Sequence, residues 1–312
     1  MHIRKAIFLL IIFLITNNLF SQNYIQFSQY INTQGLLNPA YSGTKSLPSG
    51  LLIYRNQWLN IDGAPVAFAF NIHAPIKTKK MGIGISAINE KIGMRNQTDI
   101  NIAYSYITKI NSKRSLSFGL RVGIKNYNFD KSKAQLIDID DPFFSNGNES
   151  FLFPDFGFGT YYYTKRFFAG LTLPNMLTNG LDINSTTLKT NSFSLKQQHL
   201  YLYSGYVFNL NDKLLIKSSV IGKYIYGAPL QFNVNSSLLV QEFLWLGIGY
   251  RTGEALIFLL DYKINDQFSI IYSYDWVLNK LNKYNSGSHE IMLLFNISNK
   301  ANTPMFNSPR SF

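Results

Sequence analysis

The carboxylates of I-D-I-D-D-P, Asp138, Asp140 and Asp141, supply the kind of oxygen ligand that calcium takes. The glycine turn and closing glutamate of an EF-hand loop are missing, which favours a solvated acidic loop. His2, His73, His199 and His289 show no metal spacing such as H-E-x-x-H, and no serine sits in a G-x-S-x-G elbow. A triad assembled across strands is defined by geometry and leaves no local signature. Cysteine is absent, so disulfides, thiol catalysis and Cys-based metal sites are excluded. What remains is a set of single charges, Arg55, Arg121, Lys217, Lys223, Asp261, Lys263 and Asp275, lying between apolar strand residues and expected to point inward. Such charges pair or hydrate in a polar lumen; neither a cofactor nor catalysis is expected from them.

Charges at those positions need an element that turns them all one way. Ser115 to Lys125 reads S-L-S-F-G-L-R-V-G-I-K, with Leu116, Phe118, Leu120, Val122 and Ile124 on every second residue and Arg121 between them. Only a period of two separates the sets, so this is a strand with one apolar face. A soluble sandwich shows the same alternation in any single strand, so recurrence decides. Ile100, Ile102, Tyr104 and Tyr106 alternate with Asp99, Asn101, Ala103 and Ser105; Leu246, Ile248 and Tyr250 alternate with Gly247, Gly249 and Arg251. The second face is small or polar, which suits a barrel with an apolar outside and a polar lumen. The expected fold is all-β, a transmembrane antiparallel β-barrel of about 14 strands. The expected strands are 50–60, 65–75, 81–92, 97–109, 114–127, 153–164, 166–174, 197–209, 213–226, 229–241, 244–251, 255–264, 268–279 and 287–298.

Composition agrees with that reading. The 312 residues are 46% hydrophobic, yet no long apolar run follows the N-terminus, so the apolar residues must be dispersed in strands. Twenty Tyr, 25 Phe and 3 Trp would furnish aromatic girdles at both lipid boundaries. A formal charge of +12 invites nucleic acid, but the basic residues are scattered and form no stripe, so no nucleic-acid partner is expected.

The chain divides into four parts. Residues 1–21 carry Arg4 and Lys5, an apolar run from Ala6 to Ile15 and a short polar end, the pattern of a secretory signal peptide. Residues 22–49 hold turn formers and too many apolar groups for a solvated tail, and read as an ordered periplasmic segment. The barrel occupies 50–298, and 299–312 is expected to be a periplasmic tail. Short connections at one end, such as Pro75 to Lys80 and Ile110 to Lys113, alternate with longer ones, Asn128 to Leu152, Pro174 to Lys196 and the 280s, as periplasmic turns and outer loops do. Phe27, Tyr30 and Tyr41 near the start, with Met305, Phe306, Arg310 and Phe312 in the tail, are the candidate docking residues, because partner surfaces favour aromatics and Arg.

With Q-F-S-Q-Y at 26–30, N-P-A-Y-S-G at 38–43 and R-N-Q-W-L-N-I-D-G-A-P at 55–65, the chain resembles the PorP/SprF family, outer-membrane proteins of Bacteroidota associated with type IX secretion and gliding motility. S-G-S-H-E-I-M-L-L-F at 286–295 is similar to the family's last strand, and S-P-R-S-F at 308–312 looks like its S-P-R-Y-F terminus, with Ser311 where an aromatic is usual. The resemblance implies a non-enzymatic barrel in the outer membrane that helps export or hold large adhesin-like cargo and contacts periplasmic machinery. It implies no residue-level binding site. Barrel physics alone would favour a passive porin or solute channel, the second reading, and a barrel enzyme is the third.

Overall fold

The structure is a computed structural model that describes residues 25–76, 80–131, 149–180, 189–192, 198–211 and 214–297. Sixteen strands lie in these residues. They are β1 (Ser49–Asn56), β2 (Val66–Pro75), β3 (Met81–Ile92), β4 (Arg95–Lys109), β5 (Ser115–Phe129), β6 (Glu149–Tyr163), β7 (Phe167–Leu173), β8 (Thr178–Gly180), β9 (Lys189–Ser192), β10 (His199–Asn209), β11 (Leu215–Ile225), β12 (Gln231–Val240), β13 (Leu244–Arg251), β14 (Ala255–Lys263), β15 (Phe268–Val277) and β16 (Ser288–Asn296). All but β8 and β9 form one closed antiparallel barrel of fourteen strands, each beside its neighbour in sequence, and β1 pairs with β16 to shut it. Closure leaves no strand edge with unpaired backbone groups, the condition for crossing hydrocarbon. β8 and β9 pair with each other as a separate hairpin.

The period of two read from the sequence becomes inside and outside. In β5, Leu120 is 62% exposed and Arg121 5%, and the same alternation runs through the other long strands. The outward set is aliphatic in the middle of the wall, with Ile83, Ile85, Ile100, Ile102, Val122, Leu202, Val234, Leu246 and Ile248. Aromatics flank it: Tyr104, Tyr106, Phe118, Tyr206, Phe208 and Phe243 at one end, Tyr54, Tyr224, Tyr226, Tyr250 and Trp276 at the other. An apolar band between two aromatic belts is the outer surface of a protein solvated by lipid. No described helix is long and apolar enough to cross a membrane.

Every described connection at the first belt is a tight turn, as the alternation predicted; the turn after β12, for instance, places Gln241 and Glu242 both at positive φ. The other end is less uniform than expected. It carries the long excursions after β5 and β7, but also the tight turns between β3 and β4 and between β13 and β14. Loop length therefore distinguishes the two ends only in its longest members. The expected strand bounds move by four residues at most, the largest shifts being at the start of β6 and the end of β1, where the chain turns into the 57–65 loop.

The segment expected below the barrel is inside it. Residues 26–44 are almost wholly buried, and they hydrogen-bond to the inner faces of strands on opposite sides of the wall. A barrel of this size leaves a lumen that its own side chains do not fill, and this segment occupies much of it, with a small apolar cavity left between Phe27, Leu36 and the wall at Ile88 and Tyr201. Phe27, Tyr30 and Tyr41, expected on a docking surface, are 6%, 3% and 3% exposed, so the barrel wall covers them. The expected signal peptide, the acidic stretch with Asp138, Asp140 and Asp141, and the expected docking tail with Met305, Phe306, Arg310 and Phe312 lie outside the described residues.

Candidate functional site

Local sequence dictates how the plug folds. Gln34–Leu37 makes one helical turn, and Pro39–Tyr41 makes a 3₁₀ turn whose N-cap is Asn38. The Asn38 side chain accepts the Ala40 N–H at 2.9 Å, and Pro39, which lacks an N–H, suits the first helical position. The last carbonyls of the helical turn have no partner within it. Wall side chains serve them: Asn71 donates to Gly35 O at 3.3 Å, Arg121 to Leu36 O at 3.2 Å and Thr172 to Leu37 O at 3.2 Å. Arg121 also donates to the Pro174 carbonyl and to Asn175, and pairs with Asp155 at 3.4 Å. This is the bonding of a folded interior.

Lower in the lumen the contact is aromatic. Tyr41 meets Tyr161 edge-on with centroids 5.5 Å apart and His73 at 5.2 Å, while Tyr161, Phe168 and Tyr203 lean on one another. Tyr30, Ile31, Ala40, Ile107, Tyr163, Tyr201 and Ile221 complete the cluster. Its polar ends are served: Asn38 donates to Tyr203 Oη and to Thr160 O, both at 3.0 Å, and Tyr30 Oη shares a 2.7 Å bond with Ser219. Gly119 lies so close that an added Cβ would run into the Pro39–Ala40 backbone, and Gly82 does the same beneath Ser42 and Gly43. Small residues on these strands therefore make room for the plug.

Towards the loop end the plug meets an ionic clamp centred on Ser28. Its Oγ accepts N–H groups from Arg55 at 3.0 Å and Arg251 at 2.9 Å, and donates its proton to Asp275, 2.7 Å away. Glu290 accepts the backbone N–H groups of Ser28 and Gln29 at 3.0 and 3.2 Å, and Asn235 donates to Ser28 O at 3.0 Å. Around this serine Arg55 pairs with Asp275 at 2.8 Å and Glu290 at 3.0 Å, and Arg251 with Asp275 at 3.3 Å and Glu254 at 2.8 Å. All four principal charges are at most 2% exposed. Charges so deeply buried persist only when paired and hydrogen-bonded, and here the plug supplies part of the bonding.

Among the charges expected in the lumen, the fold thus brings Arg55 and Asp275 together and sets Arg121 on the helical turn. Lys217 lies over the Trp245 ring at 4.6 Å, and Lys223 is buried on the inner wall. Asp261 is half-buried on the same face, and Lys263 pairs with Asp266 at 2.5 Å at the turn end. Ser28, Asn38, Arg251 and Glu290 were not singled out from the sequence. Arg251 and Glu290 do hold inward positions in the alternation, and that parity was the available signal. Three motifs far apart in the chain converge on the clamp: Q-F-S-Q-Y through Ser28, R-N-Q-W through Arg55 and S-G-S-H-E through Glu290. Next to it, the 57–65 loop is tied to the start of β16 by Leu59 N–H to Gly287 O at 2.8 Å and Ser286 N–H to Leu59 O at 2.9 Å. Trp58 there adopts φ +53°, a strained left-handed conformation for a bulky side chain.

Fold and site together define a transmembrane β-barrel closed from within by its own N-terminal segment. Residues 19–295 match the type IX secretion system membrane protein PorP/SprF family, and the chain belongs to that family. No curated protein matches it. Solved barrels resemble it in shape: a Pseudomonas aeruginosa FadL homologue (11% identity, TM-score 0.46, 84% of this chain and 93% of that one) and the Acinetobacter baumannii outer membrane protein Omp33 (8%, 0.47, 82% and 100%). The Ralstonia pickettii toluene transporter TbuX gives 8% identity and a TM-score of 0.48, over 84% of this chain and 92% of its own. At these identities and scores the likeness is one of barrel architecture.

Proposed function

We propose that the protein is a non-conducting, non-enzymatic outer-membrane component of type IX secretion that assists the export or surface retention of large adhesin-like cargo. The observation that carries this reading is the occupied lumen: residues 26–44 fill it with buried rings and a buried ionic clamp, which suits a fixed partner in an assembly better than a path for solutes. In this reading the short turns face the periplasm, where the tail at 299–312 docks on the secretion machinery through Met305, Phe306, Arg310 and Phe312. Family membership supplies the pathway, and the plug supplies the argument against a porin.

The test applies two measurements to one preparation purified from native membrane. Planar bilayers should show no stepwise conductance from the intact chain, and periplasmic secretion components should co-purify with it. A stable open-channel conductance without such partners would overturn the proposal in favour of a solute channel.

A further inference from the structure

The short-turn end of the barrel is charged unevenly. The neighbouring turns after β2, β4 and β6 carry Lys80, Lys109, Lys113, Arg114, Lys165 and Arg166, all exposed, and no acidic residue among the described positions. The turns after β12 and β14 instead carry Glu242 and Asp266, the latter already paired with Lys263. Lys109, Lys113, Arg114, Lys165 and Arg166 enter no ion pair among the described residues. With strands about 4.8 Å apart, the three basic turns cover roughly 25 Å of rim.

Their height on the wall suggests what they meet. Tyr104, Tyr106 and Phe118 point outward just above the turn after β4, Tyr206 lies on β10 opposite Phe167, and Tyr162 packs against Phe167 across the β6–β7 turn at 6.0 Å. Aromatic belts mark the boundary between hydrocarbon and headgroups. Tyr106 precedes Lys109 by three residues, which at about 3.3 Å per residue puts the first cation within roughly 10 Å of that boundary. Long basic side chains at this height reach phosphates while their methylenes rest on apolar surface. A solvent-facing protein partner would not need the cations to follow the aromatic belt so closely.

We propose that this basic arc binds the phosphate headgroups of anionic phospholipid in the leaflet at the short-turn end, giving the barrel an annulus enriched in such lipid on one side. Each cation near such headgroups raises affinity roughly fivefold at physiological salt, and the effect fades within a Debye length. The site is independent of the conducting state, so its failure and that of the secretion role are distinguishable.

The full chain is placed in nanodiscs of mixed phosphatidylglycerol and phosphatidylcholine, and spin-labelled versions of each lipid report which one contacts the protein. Wild type should favour phosphatidylglycerol severalfold at low salt and lose most of that preference in 1 M salt. The five substitutions Lys109→Gln, Lys113→Gln, Arg114→Gln, Lys165→Gln and Arg166→Gln should abolish it, whereas Lys280→Gln with Lys283→Gln, at the other end, should retain it. If the fivefold variant does not fold, Lys165→Gln with Arg166→Gln should give a partial loss. Equal contact of both lipids with wild type, or a preference that survives removal of the arc, overturns the proposal. Loss of secretion partners from the arc variant without any lipid preference in wild type would assign the arc to an acidic protein instead.

Discussion

Around Tyr41 the plug is held by rings, and around Ser28 it is held by charges. The aromatic region consists of many weak contacts spread over Tyr161, Tyr203, Phe168 and Tyr30, with a few hydrogen bonds to keep their orientation. Such packing is insensitive to pH and salt, and it weakens gradually as single atoms are removed. The ionic region concentrates its strength in four charges and one serine. Removing one member there leaves another charge buried without a partner, so the loss is abrupt. The comparison teaches that one end of the plug is seated by shape and the other is locked by electrostatics.

Breaking the locked end should have the largest effect. Arg55→Met leaves Asp275 and Glu290 facing each other with less compensation, and should destabilise the folded barrel by about 3–5 kcal/mol. The temperature at which the barrel loses its compact mobility on gels measures this. An unchanged transition would mean that the clamp contributes nothing.

The seated end should respond to volume. Gly119→Ala drives a methyl into the Pro39–Ala40 backbone, which cannot step aside as a flexible side chain would, and overpacking of this kind costs about 1–3 kcal/mol. The barrel should persist while protease cleaves within 25–48. Gly222→Ala, whose added methyl presses only on the movable Phe232 ring and meets the Leu202 carbonyl at ordinary contact distance, is the matching control and should stay resistant.

The smallest effect sharpens the contrast. Tyr203→Phe removes the hydroxyl that accepts from Asn38, but Asn38 Nδ2 keeps its bond to Thr160 O, so the cost should be about 1 kcal/mol. A loss as large as that of Arg55→Met, read by the same gel transition, would show that the aromatic region depends on its polar ends as the clamp does.

The barrel was legible in the sequence because each strand carries its own evidence. Leu120 and Arg121 declare opposite faces without reference to any other part of the chain, and fourteen such local patterns add up. The plug carries no period, and its turn signals are compatible with several places. Asn38-Pro39 is one of the turn formers in 22–49, and the structure shows a capped turn at that point, but no local rule says that the turn sits inside a wall formed by residues that follow it. The clamp was half visible. Arg55 and Asp275 stood out as charges among apolar neighbours, whereas their meeting depends on β1 pairing with β16, and Ser28 is unremarkable until four charges surround it.

The clamp draws on both ends of the barrel. Arg55 belongs to β1 and stands opposite Glu290 in the register of β1 with β16, while Asp275 and Arg251 come from β15 and β13. Ser28 precedes all of them in the chain, yet its partners exist together only after the last strand has joined the first. The plug therefore cannot complete its contacts until the barrel has closed. An unclosed barrel offers it half a socket, and β16 completes the socket by zipping along β1. Until that seam forms, Arg55 lies away from Glu290 and Asp275, so the clamp around Ser28 is a property of the closed barrel alone.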